Sequence, residues 1–197
     1  MGADYFEYRT PYQPQFAGAL EALVRRLLES GEEQIAPDLD EYLALVDAQN
    51  EAAFPEWAAQ DATFVPMLAR TDAPLTLERA RRTLSAWQVL PYRDLAWDQL
   101  KTLVMLNRES LGSPLSVLVQ GPDRAVRLAR PGELQTLLGT QQPTWRSLQP
   151  FLDSRLPAWE RLTDLLDRER NRQAVAFALY SDAGTPLEYF VFGYTYD

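Results

Sequence analysis

The chain has 197 residues, 46% hydrophobic and 24% charged, ordinary proportions for a globular protein long enough to bury a sizeable core. It has no cysteine and no histidine, which excludes disulfides, thiolate chemistry, Ser-His-Asp catalysis and zinc sites built on either residue. The formal net charge of −9 is unevenly placed: residues 1–60 hold 12 acids and 3 bases, whereas residues 61–197 hold 16 of each.

The opening residues MGADYFEYRT carry early acids and no apolar core of signal-peptide type, and no apolar run approaches the ~20 residues of a membrane helix. A cytoplasmic protein folded as a single domain over 1–197 is the expectation. Tyr5, Phe6, Tyr8 and Tyr12 suggest a short strand near 5–9 or an arm that docks its rings. A first helix is expected from about Pro14, with Phe16, Leu20, Leu23 and Leu27 in one stripe and Gly31 in the left-handed position that ends it.

A second helix begins at PDLDE, where Asp38 is a cap and Glu41 completes a capping-box spacing. Adjacent acids at a helix start diverge, so these residues read as capping and not as a metal site. From Glu29 to Asp61 the only charged residues are acidic, among them Glu32, Glu33, Asp40, Asp47 and Glu51. Leu77, Ala80, Leu84 and Trp87 mark a third helix, on which Arg79, Arg81 and Arg82 form a candidate anion-binding cluster. Asp94 can cap a fourth helix with Leu100, Leu103 and Val104 inward, so that the region 14–111 is helical.

At LSVLVQGPDRAVRLA the texture changes. Leu115, Val117 and Val119 alternate, as do Val126 and Leu128, around the turn residues Gly121-Pro122-Asp123, which predicts a hairpin over 115–129. A helical region over 132–170 follows, divided by Pro143, Pro150 and Pro157. The segment 174–196 predicts a second hairpin across the loop Asp182–Thr185. Phe177 then opposes Phe190, and Val175 opposes Phe192. One face carries Leu179, Phe177, Phe190, Val175, Phe192 and Tyr194; the other carries Ala174, Ala176, Ala178, Val191 and Gly193, with Tyr180 and Tyr189. Neither face is polar, so both need cover: the large face from the core, the small face from a close-packed helix or a second protomer. The five tryptophans read as core residues.

The fold class predicted is α+β: a helix-rich N-terminal two-thirds and an antiparallel sheet built from hairpins near 115–129 and 174–196. No glycine-rich phosphate loop, dinucleotide fingerprint or GxSxG elbow is present. Arginine supplies 18 of the 19 basic residues, a coding bias of GC-rich, bacterial type. The sequence therefore suggests a non-enzymatic interaction module of immunity, inhibitor or adaptor type. It would present Asp40, Asp47, Glu51, Glu32 and Glu33 to a basic protein partner, since clustered like charge opposes folding yet speeds encounter with an opposite charge. No cofactor, metal, nucleic acid or membrane is expected, and the chain would be a monomer or homodimer. A ligand-binding regulatory domain with an aromatic pocket and an arginine is the alternative. A carboxylate-dependent enzyme ranks below both, so the enzyme question leans to no.

Overall fold

The computed structural model describes residues 3–35, 77–106, 113–153 and 173–196, which gather into two compact units. One comprises Met1–Val24 and Gly112–Asp197, the other Arg25–Leu111. The class is α+β, with six helices and a four-stranded sheet among the described residues.

The sheet is built outward from the C-terminal hairpin. Strand β3 (Ala174–Tyr180) pairs antiparallel with β4 (Pro186–Tyr196). The register is the one the pattern of large and small side chains demands, with Phe177 opposite Phe190 and Val175 opposite Phe192. A one-residue irregularity beside Leu179 and Tyr180 then sets Tyr180 opposite Pro186. The tip is a tight turn: the Gly184 N–H donates to the Ser181 carbonyl at 2.9 Å, and Gly184 takes a φ of +77°.

Strand β1 (Ala3–Pro11) lies antiparallel on the far side of β4, and β2 (Val126–Leu128) runs parallel to β3, giving the order β1-β4-β3-β2. The expected strand near 5–9 is present and longer than predicted. The sheet is mixed, because its fourth strand enters by a crossover and not through a second hairpin.

The predicted 115–129 hairpin is corrected. Residues Pro114–Arg124 form a helix, here α4, and only Val126–Leu128 is strand. Leu115, Ser116, Val117, Leu118 and Val119 are all buried, so this helix has no polar face and its apolar run imitates a buried strand. The Gly121-Pro122 pair does punctuate the chain, but as a kink: Gly121 has φ +69° and ψ −166° inside the helical run.

The large face of the sheet is a core of Val175, Phe177, Leu179, Phe190 and Phe192. The three phenylalanine rings lie with centroids 5.6, 5.8 and 6.3 Å apart. Helices α5 (Pro131–Leu138) and α6 (Trp145–Asp153) cover this face through Leu134 and Leu148. On the small face the Phe6 ring lies over Gly193, in a gap that a β-carbon would fill. The first turns of α1 (Phe16–Ser30) meet the same face: the Thr10 hydroxyl donates to the Ala19 carbonyl at 3.2 Å, and Phe16 packs on Tyr189 at 4.9 Å.

At one edge, buried Arg127 of β2 forms a two-pronged pair with Glu133 of α5, at 2.8 and 3.3 Å. Glu133 also accepts the Arg130 N–H at 2.8 Å, which caps α5 behind Pro131. Pro150 sits inside α6, so it does not divide the region as expected, while Pro143 does lie between two helices. The remainder of the 132–170 region lies outside the described residues from 154 on.

In the second unit α1 ends at Gly31, whose φ is +74°. Helices α2 (Leu77–Gln88) and α3 (Trp97–Leu106) follow, joined by a 3-10 turn at Tyr92–Asp94. Leu84, Trp87, Leu100, Leu103 and Val104 are buried as predicted. The cap of α3 is corrected: Asp94 closes the 3-10 turn, and the side chain of Gln99 accepts the Ala96 N–H at 2.8 Å at the helix start. Arg25, which the sequence did not single out, donates to the carbonyls of Tyr92 and Leu95 at 2.6 and 3.0 Å. The second predicted helix, from Asp38 to Phe54, lies outside the described residues.

Candidate functional site

An open groove of about 670 Å³ runs beside the end of β3, within the range of small-molecule and peptide sites. Its walls come from two elements that the backbone ties together, since the Tyr180 N–H donates to the Pro143 carbonyl at 2.8 Å. From the strand side come Tyr180, Ser181 and Asp182; from the helix side come Thr144, Trp145, Arg146, Gln149, Pro150 and Asp153.

The helix side follows from its sequence. Thr144 and Ser147 exchange hydrogen bonds at the start of α6: each backbone N–H meets the other's hydroxyl, at 3.0 and 3.3 Å. That fixes Trp145 in the first turn. Residues 145, 149 and 153 recur every fourth position and share one face of the helix. Leu148 points the other way, into the core.

Trp145 is 38% exposed, which corrects its reading as a core residue. Of the other tryptophans, Trp87 is buried, Trp97 is half-buried, and Trp57 and Trp159 lie outside the described residues. The Arg9 guanidinium stands 4.6 Å from the Trp145 ring centroid. Glu188 holds Arg9 in place with two hydrogen bonds, of 3.0 and 2.8 Å. The register puts Arg9 opposite Phe190 on the large face, so β1, β4 and α6 meet at this ring.

The polar groups of the lining are partly committed. The Gln149 amide donates to Asp153 at 2.8 Å, and the Ser181 hydroxyl accepts the Thr185 N–H at 3.1 Å. Pro150 has no N–H to return to the Arg146 carbonyl one turn earlier, so the usual helical bond between these two positions is missing. Arg146 and the carboxylates of Asp153 and Asp182 are exposed, giving two negative charges and one positive on the lining.

None of the predicted site residues that the structure describes lines this groove. Asp40, Asp47 and Glu51 lie outside the described residues. Glu32 is exposed and pairs with Arg26 at 2.8 Å, while Glu33 is half-buried after the end of α1. Arg79 and Arg81 fall within the backbone of α2, and the Arg82 side chain is exposed. Sequence reasoning missed Arg9, Trp145, Arg146 and Tyr180. The available signal was Pro143-Thr144-Trp145, a helix start with an aromatic in its first turn, where side chains have few neighbours to cover them.

No helix among the described residues is long and apolar enough to cross a membrane. The chain matches no protein family, no curated protein and no solved structure.

Proposed function

We propose that the protein is a non-enzymatic interaction module of immunity, inhibitor or adaptor type that engages a basic protein partner. The observation that carries the reading is the segregation of charge: the whole excess of −9 falls within residues 1–60, and from Glu29 to Asp61 every charged residue is acidic. Such a block raises the local field and speeds association with an opposite charge. Asp40, Asp47 and Glu51, with Glu32 and Glu33, are its contact residues in this reading. The exposure of Glu29 and Glu32 supports it. A cytoplasmic location goes with it, as does the absence of nucleic acid from the partners, since a chain of this charge is repelled by phosphate backbones.

The test is affinity capture with wild-type bait beside Asp40→Lys/Asp47→Lys/Glu51→Lys bait, washed at low and high salt. The expected result is a basic protein held by wild type at low salt and lost from the variant. Equal retention by both baits overturns the reading. One observation favours a second reading, a ligand-binding regulatory domain: the groove sets the partly exposed Trp145 beside Arg146, an aromatic with an arginine. Thermal-shift screening against metabolites tests it, because a ligand that binds only the folded state raises Tm.

A further inference from the structure

Strand β2 spans three residues, whereas β1 spans nine and meets β4 without a bulge. Among the described residues no strand lies beyond β1 in the sheet. A long, regular edge is a template for another strand, and proteins blunt such edges with brevity, bulges or like charge. We propose that a second copy of this chain pairs with β1 edge to edge, antiparallel about a two-fold axis at Tyr8, and joins the two sheets into one. The inference goes beyond the charge-block reading and does not depend on it.

The backbone of β1 is turned the right way. The Tyr12 N–H donates to the Leu187 carbonyl at 2.9 Å, in step with the β1–β4 register, so the even-numbered residues of β1 bond inward. The N–H and C=O groups of Tyr5, Glu7 and Arg9 therefore point away from β4. Pro11 falls in the same outward set, where its missing N–H costs the β1–β4 ladder nothing. Tyr5, Glu7, Arg9 and Pro11 are also exposed, Tyr5 at 52%.

Charge selects the register. Opposed residues of an antiparallel pair share a face, so the axis must pass through a residue and not between two. With the axis at Tyr8, Glu7 faces the partner's Arg9, Arg9 faces the partner's Glu7, and Tyr5 faces the partner's Pro11. With the axis at Glu7 or Arg9, like charges meet, and with it at Phe6 no charge is matched. A protected edge would carry charges of one sign; β1 carries one of each, two residues apart, which is self-complementary. Glu188 accepts from Arg9 at Nε and one terminal nitrogen. The partner's Glu7 brings a second carboxylate to the same five-donor guanidinium.

The test is the molar mass of the full-length chain by sedimentation equilibrium at 0.15 M salt. There a Debye length of about 8 Å mutes the repulsion between two copies of net charge −9. Wild type is expected to dimerise. Glu7→Arg and Arg9→Glu each turn the cross-strand pairs into like charges and should weaken self-association by about tenfold or more. Mixed one to one, the two variants should dimerise with each other, because every like pair becomes an opposite pair. The chain has no cysteine, so Tyr8→Cys gives a clean second readout. On the axis its Cα lies about 4.5 Å from its symmetry mate, within disulfide range, whereas the control Asp4→Cys is far from its own.

A disulfide-linked dimer from Tyr8→Cys and not from Asp4→Cys, with rescue on mixing, supports the proposal. A monomeric wild type overturns it. So does a dimer that Glu7→Arg leaves unchanged, or a pair of folded variants that mixing fails to rescue. If Arg9→Glu lowers Tm too far to be compared, the Tyr8→Cys link decides, and its absence overturns the register.

Discussion

Gly193 is the tightest position in the sheet. A β-carbon there would fall 2.8 Å from both the Phe6 ring and the Ala174 methyl, and against the carbonyl of Gln173. Two of those neighbours cannot swing away, because one is backbone and the other is a β-carbon. Gly193→Ala should therefore cost about 2 kcal/mol, within the range for overpacking, and appear as a lower Tm. Glu133 makes a second residue-scale prediction. Burial pushes its carboxyl up, but the Arg127 hydrogen bonds, the Arg130 N–H and the charges of both arginines outweigh that and hold it below 4.5. A carboxyl depressed in the folded state contributes stability that is complete above its unfolded value and fades as pH falls through the folded one. Denaturant unfolding should thus show stability declining below about pH 4.5. In Glu133→Gln that part of the decline should disappear, and the variant should be less stable than wild type at neutral pH because Arg127 is left buried without its counter-charge.

At the scale of elements, the C-terminal hairpin was legible because its two faces differ in side-chain size. The register that pairs Phe177 with Phe190 is the one that sorts large from small, and a slip would mix them. The first helix was legible for a similar reason, since Phe16, Leu20, Leu23 and Leu27 keep one stripe. Helix α4 was not, because burial on every side erased the period that separates helix from strand. The missing second hairpin had a further cause: β2 pairs in parallel with a strand more than forty residues away, and no local pattern encodes that partner. The hairpin tip carries the element-scale prediction. Gly184 sits at φ +77°, a conformation that costs an alanine about 1 kcal/mol but that asparagine tolerates. Gly184→Ala should lower Tm, and Gly184→Asn should restore most of the loss.

At the scale of the molecule, charge was legible in the sequence and the groove was not. The acidic block is a matter of counting, whereas the groove joins α6 to the end of β3, and its Trp145 ring is met by Arg9 from the other end of the chain. Tryptophan type alone gave the wrong environment for Trp145, because a helix's first turn leaves its ring only partly covered. The same scale holds the functional prediction. If the acidic block steers a basic partner, its contribution lies mainly in the association rate and is screened by salt over a Debye length of about 10 Å at 0.1 M.

The measurement that bears most directly on this account is the association rate of the captured partner with wild type and with Asp40→Lys/Asp47→Lys/Glu51→Lys, across a series of salt concentrations. The account predicts a wild-type rate that falls steeply with salt, and a variant rate that starts at least about tenfold lower and changes little. A wild-type rate indifferent to salt, or the same curve for both proteins, would contradict it.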